Sequence, residues 1–224
     1  KSDPTNKDSD EDEILDIDDM EALKYSSDYN IFIIYENPHG EHGFYSQADW
    51  MANSLYASSK TKYYVVSSIN EFISAWNEIE KANSLHLYLH GSPGYLYFYN
   101  EDLKTDSIGC TLEEIEIQTK IYLYSCEGGT FYTNSKTDET SNVALDLSRY
   151  VYPIKPVVAL NGSSVHYMDD YAYFDFWIAT FKYIFVDKSP KRTGQNGYWA
   201  EYYYEENSTD QSYVEVIIGD EWVP

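Results

Sequence analysis

The chain has 224 residues, 43% of them hydrophobic, which is enough for one domain with a real core, and it carries a formal net charge of −23. That charge, with only 15 Lys and Arg, argues against nucleic-acid backbones and anionic membrane surfaces as partners. No apolar run approaches the roughly 18 residues of a transmembrane helix, and the two cysteines form neither a disulfide framework nor a zinc spacing.

Residues 1–22, "KSDPTNKDSDEDEILDIDDMEA", are acidic and poorly patterned, so they are expected to be a flexible linker ahead of a domain over 23–224. Their Asp spacing lacks the glycine and terminal glutamate of an EF-hand loop. Because the chain starts at Lys1, it is expected to be an excised domain or a mature fragment.

The apolar run "YNIFIIYEN" (29–37) predicts a strand, and "SQADWMANSLYASSK" (46–60) a helix, with Trp50, Met51, Leu55 and Tyr56 at helical spacing. A second strand follows at 62–68. A second helix is expected over 68–82, capped by Ser68 or Asn70 and burying Phe72, Ile73, Trp76 and Ile79. "LHLYLH" (85–90) reads as the third strand, "GYLYFYNED" as a hairpin and "TLEEIEIQ" as weakly helical. "IYLYSC" (121–126) supplies a fourth strand, "SNVALDLSRYV" (141–151) a helix opened by Ser141 or Asn142, and "PVVALNG" (156–162) a fifth strand.

Strands alternating with helices imply an α/β three-layer sandwich around a mainly parallel sheet. Beyond 163 the pattern turns aromatic with a period of two, predicting one helix near "FDFWIATFKYIF" and then an antiparallel extension of the sheet. The 25 tyrosines suit half-exposed strands; a saccharide- or peptide-binding face and plain compositional bias both account for them.

Functional crevices of open α/β sheets lie beyond the carboxyl ends of the strands. His90 and Cys126 both fall at such ends, on consecutive strands, and each is followed by glycines: "HGSPG" and "CEGG". A cysteine nucleophile needs a base, which the imidazole can be, and the N–H groups of Gly91 and Cys126 are placed to receive a developing oxyanion. Taken singly, a lone Cys is usually a small buried hydrophobe and a lone His a satisfied hydrogen-bonding residue. The pairing is what points to catalysis. A Cys110–Cys126 disulfide is the alternative that would block it.

The order strand–His–Gly, strand–Ser–Cys–x–Gly, helix, strand over about residues 29–167 resembles the caspase-like cysteine peptidases, a group that includes gingipains, clostripain, separase and the caspase-like domains of large bacterial toxins. "SNVALDLSRY" followed by "PVVALNGSSVHY" also resembles caspase-like domains attached to secreted bacterial repeat proteins, including Rhs-type toxins. The resemblance implies a caspase-like sheet, His90 as general acid/base, Cys126 as nucleophile, and an oxyanion hole at Gly91 and Cys126. It also implies secreted or cell-surface localisation in a bacterium, and a peptide or protein substrate, the parent chain among the candidates, cleaved without a cofactor.

Tyr124 stands where some relatives carry an acidic residue two before the cysteine, and the caspase "QACxG" pattern is absent. Several relatives build the wall of the P1 pocket after the fifth strand. Here that segment is "NGSSVHYMDD" (161–170), which offers Ser164, Asp169 and Asp170 as substrate-binding residues, the aspartates for a basic P1 side chain; a solvated acidic turn accounts for them equally well. Lys188, Lys191 and Arg192 are too sparse for an inositol-hexakisphosphate pocket.

Three other readings remain open. A cysteine-nucleophile α/β-hydrolase would use "LHGSPG" as an oxyanion loop, "YSCEGG" as a nucleophile elbow and His166 as base, although Tyr124 occupies the elbow's first glycine. An inactive caspase-like module would bind a partner through its tyrosine-rich C-terminal region. His39, Glu41 and His42 in "PHGEHG" suggest a metal site, but glycine-rich loops of this kind more often simply connect elements.

Overall fold

A computed structural model describes residues 29–39, 43–56, 60–107, 111–133, 140–162, 198–204 and 213–219. The expected linker over 1–22, the helix near 174–185, Cys110, Glu41, His42 and His166 lie outside them.

In chain order the elements are β1 (Asn30–Tyr35), α1 (Tyr45–Leu55), β2 (Thr61–Val66), α2 (Ile69–Asn77), β3 (Lys81–Ala82), β4 (Ser84–Tyr88), β5 (His90–Ser92), β6 (Tyr95–Phe98) and β7 (Glu101–Lys104). A 3-10 turn over Thr105–Ser107 leads to β8 (Ile115–Ile117), β9 (Ile121–Tyr124), β10 (Tyr132–Thr133), β11 (Thr140–Ser141) and α3 (Val143–Ser148). The last are β12 (Val151–Tyr152), β13 (Val157–Asn161), β14 (Tyr198–Tyr204) and β15 (Tyr213–Gly219).

The main sheet has seven strands in the order β15-β14-β13-β9-β4-β1-β2. Its core is parallel, and β14 and β15 extend it antiparallel, as the aromatic period-two pattern predicted. The fold is therefore α/β, built on a mainly parallel mixed sheet. Every residue of β1 and β4 is buried, as central parallel strands covered on both faces require. The steps β1 to β2 and β2 to β4 cross the sheet in opposite directions, so right-handed connections put α1 and α2 on opposite faces.

The two faces differ chemically. Ile31, Ile33, Leu85, Leu87, Leu123 and Ile121 alternate along one face. Phe32, His86, Tyr88, Tyr122 and Tyr124 fall on the other, where Phe32 meets Tyr56 at the end of α1 with ring centroids 6.2 Å apart. Strand periodicity thus sorts an aliphatic layer from an aromatic, hydroxyl-rich one.

Four sequence expectations need correction. The helix expected over 68–82 is capped by Ser68, whose hydroxyl accepts from the Glu71 N–H, but it ends at Asn77. Lys81–Ala82 instead pairs in parallel with β8. "TLEEIEIQ" holds a strand over Ile115–Ile117 instead, because its two isoleucines alternate into the core with period two. The helix expected over 141–151 is α3 alone, capped by Asn142, and Val151–Tyr152 leaves it to pair with β8. Finally, β4 stops at Tyr88, and His90 opens a separate three-stranded antiparallel sheet, β5-β6-β7. Gly94, at φ +77°, allows the tight return into β6.

Candidate active site

The parallel register of β4 and β9 pairs Leu87 with Leu123 and Tyr88 with Tyr124. Leu89 continues it, its N–H donating to the Tyr124 carbonyl at 3.2 Å. His90 and Cys126 follow, each two residues after the paired Tyr88 and Tyr124, beyond the carboxyl ends of these neighbouring strands. Backbone packing between the two segments is tight. A Cβ on Gly91 would lie 3.1 Å from Cβ and Oγ of Ser125 and 3.2 Å from the Cys126 carbonyl oxygen, closer than ordinary van der Waals contact, so a side chain here would require its neighbours to give.

The His90 imidazole packs on Phe44 and Tyr35, with centroids 4.6 and 5.2 Å away. Those aromatic walls come from the end of β1 and the start of α1, and they restrict how the ring can rotate. The Cys126 side chain is half-buried. The turn that carries it is braced by the end of β13: the Glu127 N–H donates to the Gly162 carbonyl at 2.8 Å and the Gly129 N–H to the Leu160 carbonyl at 2.9 Å. Glu127 takes a left-handed φ of +56°, a conformation costly for a residue with a Cβ and one that recurs at functional turns.

Gly128 and Gly129 are dictated by space. A Cβ on Gly128 would lie 2.6 Å from the Ser125 hydroxyl and 2.7 Å from the Leu123 side chain; one on Gly129 would lie 2.7 Å from the Tyr202 ring. Ser125 is thus wedged between the two glycine-bearing segments. It is buried, and its hydroxyl finds no hydrogen-bond partner among the described residues.

Of the other expected site residues, Ser164, Asp169 and Asp170 lie outside the described residues. So do Glu41 and His42; His39 hydrogen-bonds the Tyr99 hydroxyl at 2.9 Å. Among the described residues no three His, Cys, Asp or Glu side chains group to hold a metal ion, and no helix is long and apolar enough to cross a membrane.

Two buried polar centres were not anticipated from the sequence. His86 is fully enclosed, stacked between Phe32 (4.4 Å) and Tyr122 (4.8 Å). Its Nε2 meets the Tyr56 hydroxyl at 2.9 Å and the Ser84 hydroxyl at 3.0 Å, and Nδ1 lies 3.3 Å from the Tyr124 hydroxyl. Burial drives its pKa down to about 3, so the ring is neutral. The one signal was a histidine inside an apolar strand. On α3, the buried Asp146 carboxylate accepts from the Thr105 and Ser141 hydroxyls, both at 2.6 Å, and from Tyr132 at 3.0 Å. Burial raises its pKa against the pull of those three hydroxyls. Asp146 therefore ties the segment after β7, the β10-β11 hairpin and α3 together behind the Cys126 turn.

Neither a protein-family profile nor a curated protein matches the chain.

Proposed function

We propose that the domain is a cysteine endopeptidase in which Cys126 is the nucleophile and His90 the general acid/base, processing a larger secreted bacterial protein of which it is part. The observation that supports this reading is the close approach of the two segments beyond the paired ends of β4 and β9: a Cβ on Gly91, the residue after His90, would lie 3.2 Å from the Cys126 carbonyl oxygen.

In the reaction, His90 takes the thiol proton and the Cys126 sulfur attacks the peptide carbonyl carbon. The tetrahedral oxyanion is held by the N–H groups of Gly91 and Cys126. The C–N bond then breaks, and the imidazolium gives its proton to the departing amine. Water, deprotonated by the same imidazole, hydrolyses the thioester and restores the thiol. These steps use side chains, backbone donors and water. Ser164, Asp169 and Asp170 are proposed as the P1 wall, with the acidic chain favouring basic substrates on approach.

An α/β-hydrolase elbow runs from strand through turn directly into a helix. Here the chain after Cys126 passes through a turn into β10, and α3 starts only at Val143, which supports the dyad over the hydrolase. The test is the rate of Cys126 alkylation by iodoacetamide across pH 5–9, in wild type and His90→Ala, with Cys110 followed separately. The dyad requires Cys126 to react faster than Cys110 and to lose that advantage without His90. Equal rates in both proteins would overturn it.

A further inference from the structure

The hairpin that His90 opens carries an aromatic shelf. Directly opposed residues of an antiparallel pair point to the same side. The pairings His90 with Tyr97, Ser92 with Tyr95, Tyr97 with Asp102 and Tyr95 with Lys104 therefore place all six side chains on one face. Leu96, Phe98 and Leu103 take the other face, which is buried. On the outer face the Tyr95 and Tyr97 rings lie parallel, 6.4 Å apart at 6°. The Tyr97 hydroxyl is fixed by that of Ser92 at 2.5 Å, and Tyr95 is 36% exposed. Core packing does not explain two parallel half-exposed phenols beside a candidate catalytic base.

We infer that Tyr95 and Tyr97 form the subsite for the leaving side of the scissile bond and select a planar side chain there, an aromatic ring or a guanidinium. The inference rests on the peptidase reading, and its direction comes from the chemistry. His90 hands its proton to the departing amine, so the residues following the scissile bond pass on the His90 side of the cleft, toward the hairpin. The spacing of the two rings is close to the distance between alternate residues of an extended chain. Tyrosine faces bind aromatic rings by stacking and guanidinium by cation–π attraction. Asp102, across from Tyr97, adds a carboxylate that favours the guanidinium.

The test uses the full chain and a mixed peptide library read by mass spectrometry. Wild type is compared with Tyr95→Ser/Tyr97→Ser and with Tyr95→Phe/Tyr97→Phe. Wild type is expected to cleave peptides with Phe, Tyr, Trp or Arg in the first two positions after the scissile bond about three- to tenfold faster, as kcat/KM, than the glycine counterparts. In the serine pair that ratio falls to near one; the phenylalanine pair keeps it. The Arg and aromatic arms separate the two classes of side chain. If the serine pair loses its circular-dichroism melt, Tyr95→Ser alone supplies the reading, with a reduced ratio expected. Cleavage with no such selectivity in wild type, or with the same ratio in the serine variants, overturns this inference alone. A wild type that cleaves no peptide overturns the peptidase reading and this inference with it.

Discussion

Gly91 and Ser125 meet so closely that a methyl group on the first would press at 3.1 Å on both Cβ and Oγ of the second. This contact joins the segment bearing His90 to the one bearing Cys126, so small volume changes here should alter both stability and chemistry. Gly91→Ala is expected to cost about 1–3 kcal/mol through overpacking and to slow Cys126 alkylation. Adding Ser125→Gly should recover part of both losses. Ser125→Ala, which removes a buried hydroxyl lacking a partner, should be neutral or mildly stabilising. Urea melts of wild type, Gly91→Ala, Ser125→Gly and the double variant give the coupling, and additive losses would show that the two residues do not press on each other.

The turn after Cys126 permits two substitutions of opposite sign. Glu127→Gly relieves a left-handed φ and should leave stability unchanged or raise it by up to about 1 kcal/mol. Gly128→Ala drives a methyl group to 2.6 Å from the Ser125 hydroxyl and 2.7 Å from Leu123, and should destabilise by about 1–3 kcal/mol. Thermal melts of both variants check this; a harmless Gly128→Ala would mean that the turn shifts freely.

His86 makes the fold acid-sensitive. In the native state burial holds its pKa near 3, while in the unfolded chain it lies near 6.5. Below pH 6.5 the unfolded state therefore binds a proton that the folded state refuses. Stability falls as pH drops from about 6.5 toward 3, by on the order of 3 kcal/mol at pH 4. His86→Phe has no proton to bind and should flatten that slope, at a fixed cost from the hydrogen bonds between the ring and the hydroxyls of Tyr56, Ser84 and Tyr124. Urea midpoints at pH 7 and pH 4 for both proteins decide it, and parallel declines would remove His86 as the cause.

Asp146 contributes with the opposite sign. Its folded pKa is raised, so the stability it supplies is greatest below its unfolded pKa, near 3.9, and declines as pH rises through that value to the folded one. Its larger role is as a shared acceptor. Asp146→Ala removes the acceptor shared by the hydroxyls of Thr105, Ser141 and Tyr132 and should cost about 3 kcal/mol or more. Asp146→Asn keeps the shape and part of the acceptor capacity and should cost less. Equal losses in guanidinium melts would point to volume rather than to hydrogen bonding.

Composition and patterning alone set the alternation of strands and helices, narrowed the caps to Ser68 or Asn70 and to Ser141 or Asn142, and indicated the antiparallel extension in β14 and β15. Each is written in local periodicity, capping chemistry or aromatic patterning that acts over a few residues. The sequence also singled out His90 and Cys126, because glycines after apolar runs mark strand ends. Only the tertiary structure decided that β4 and β9 are parallel neighbours with Tyr88 paired to Tyr124, and that His90 belongs to a second sheet. Strand order and register come from contacts between distant segments, and the glutamates and isoleucines of "TLEEIEIQ" show how such contacts override local propensity: pairing with β3 and β12 makes a strand of what composition alone favours as helix. The cages around His86 and Asp146 were illegible for the same reason. Tyr56, Ser84 and Tyr124, like Thr105, Tyr132 and Ser141, become partners only when the sheet and its helices bring them together.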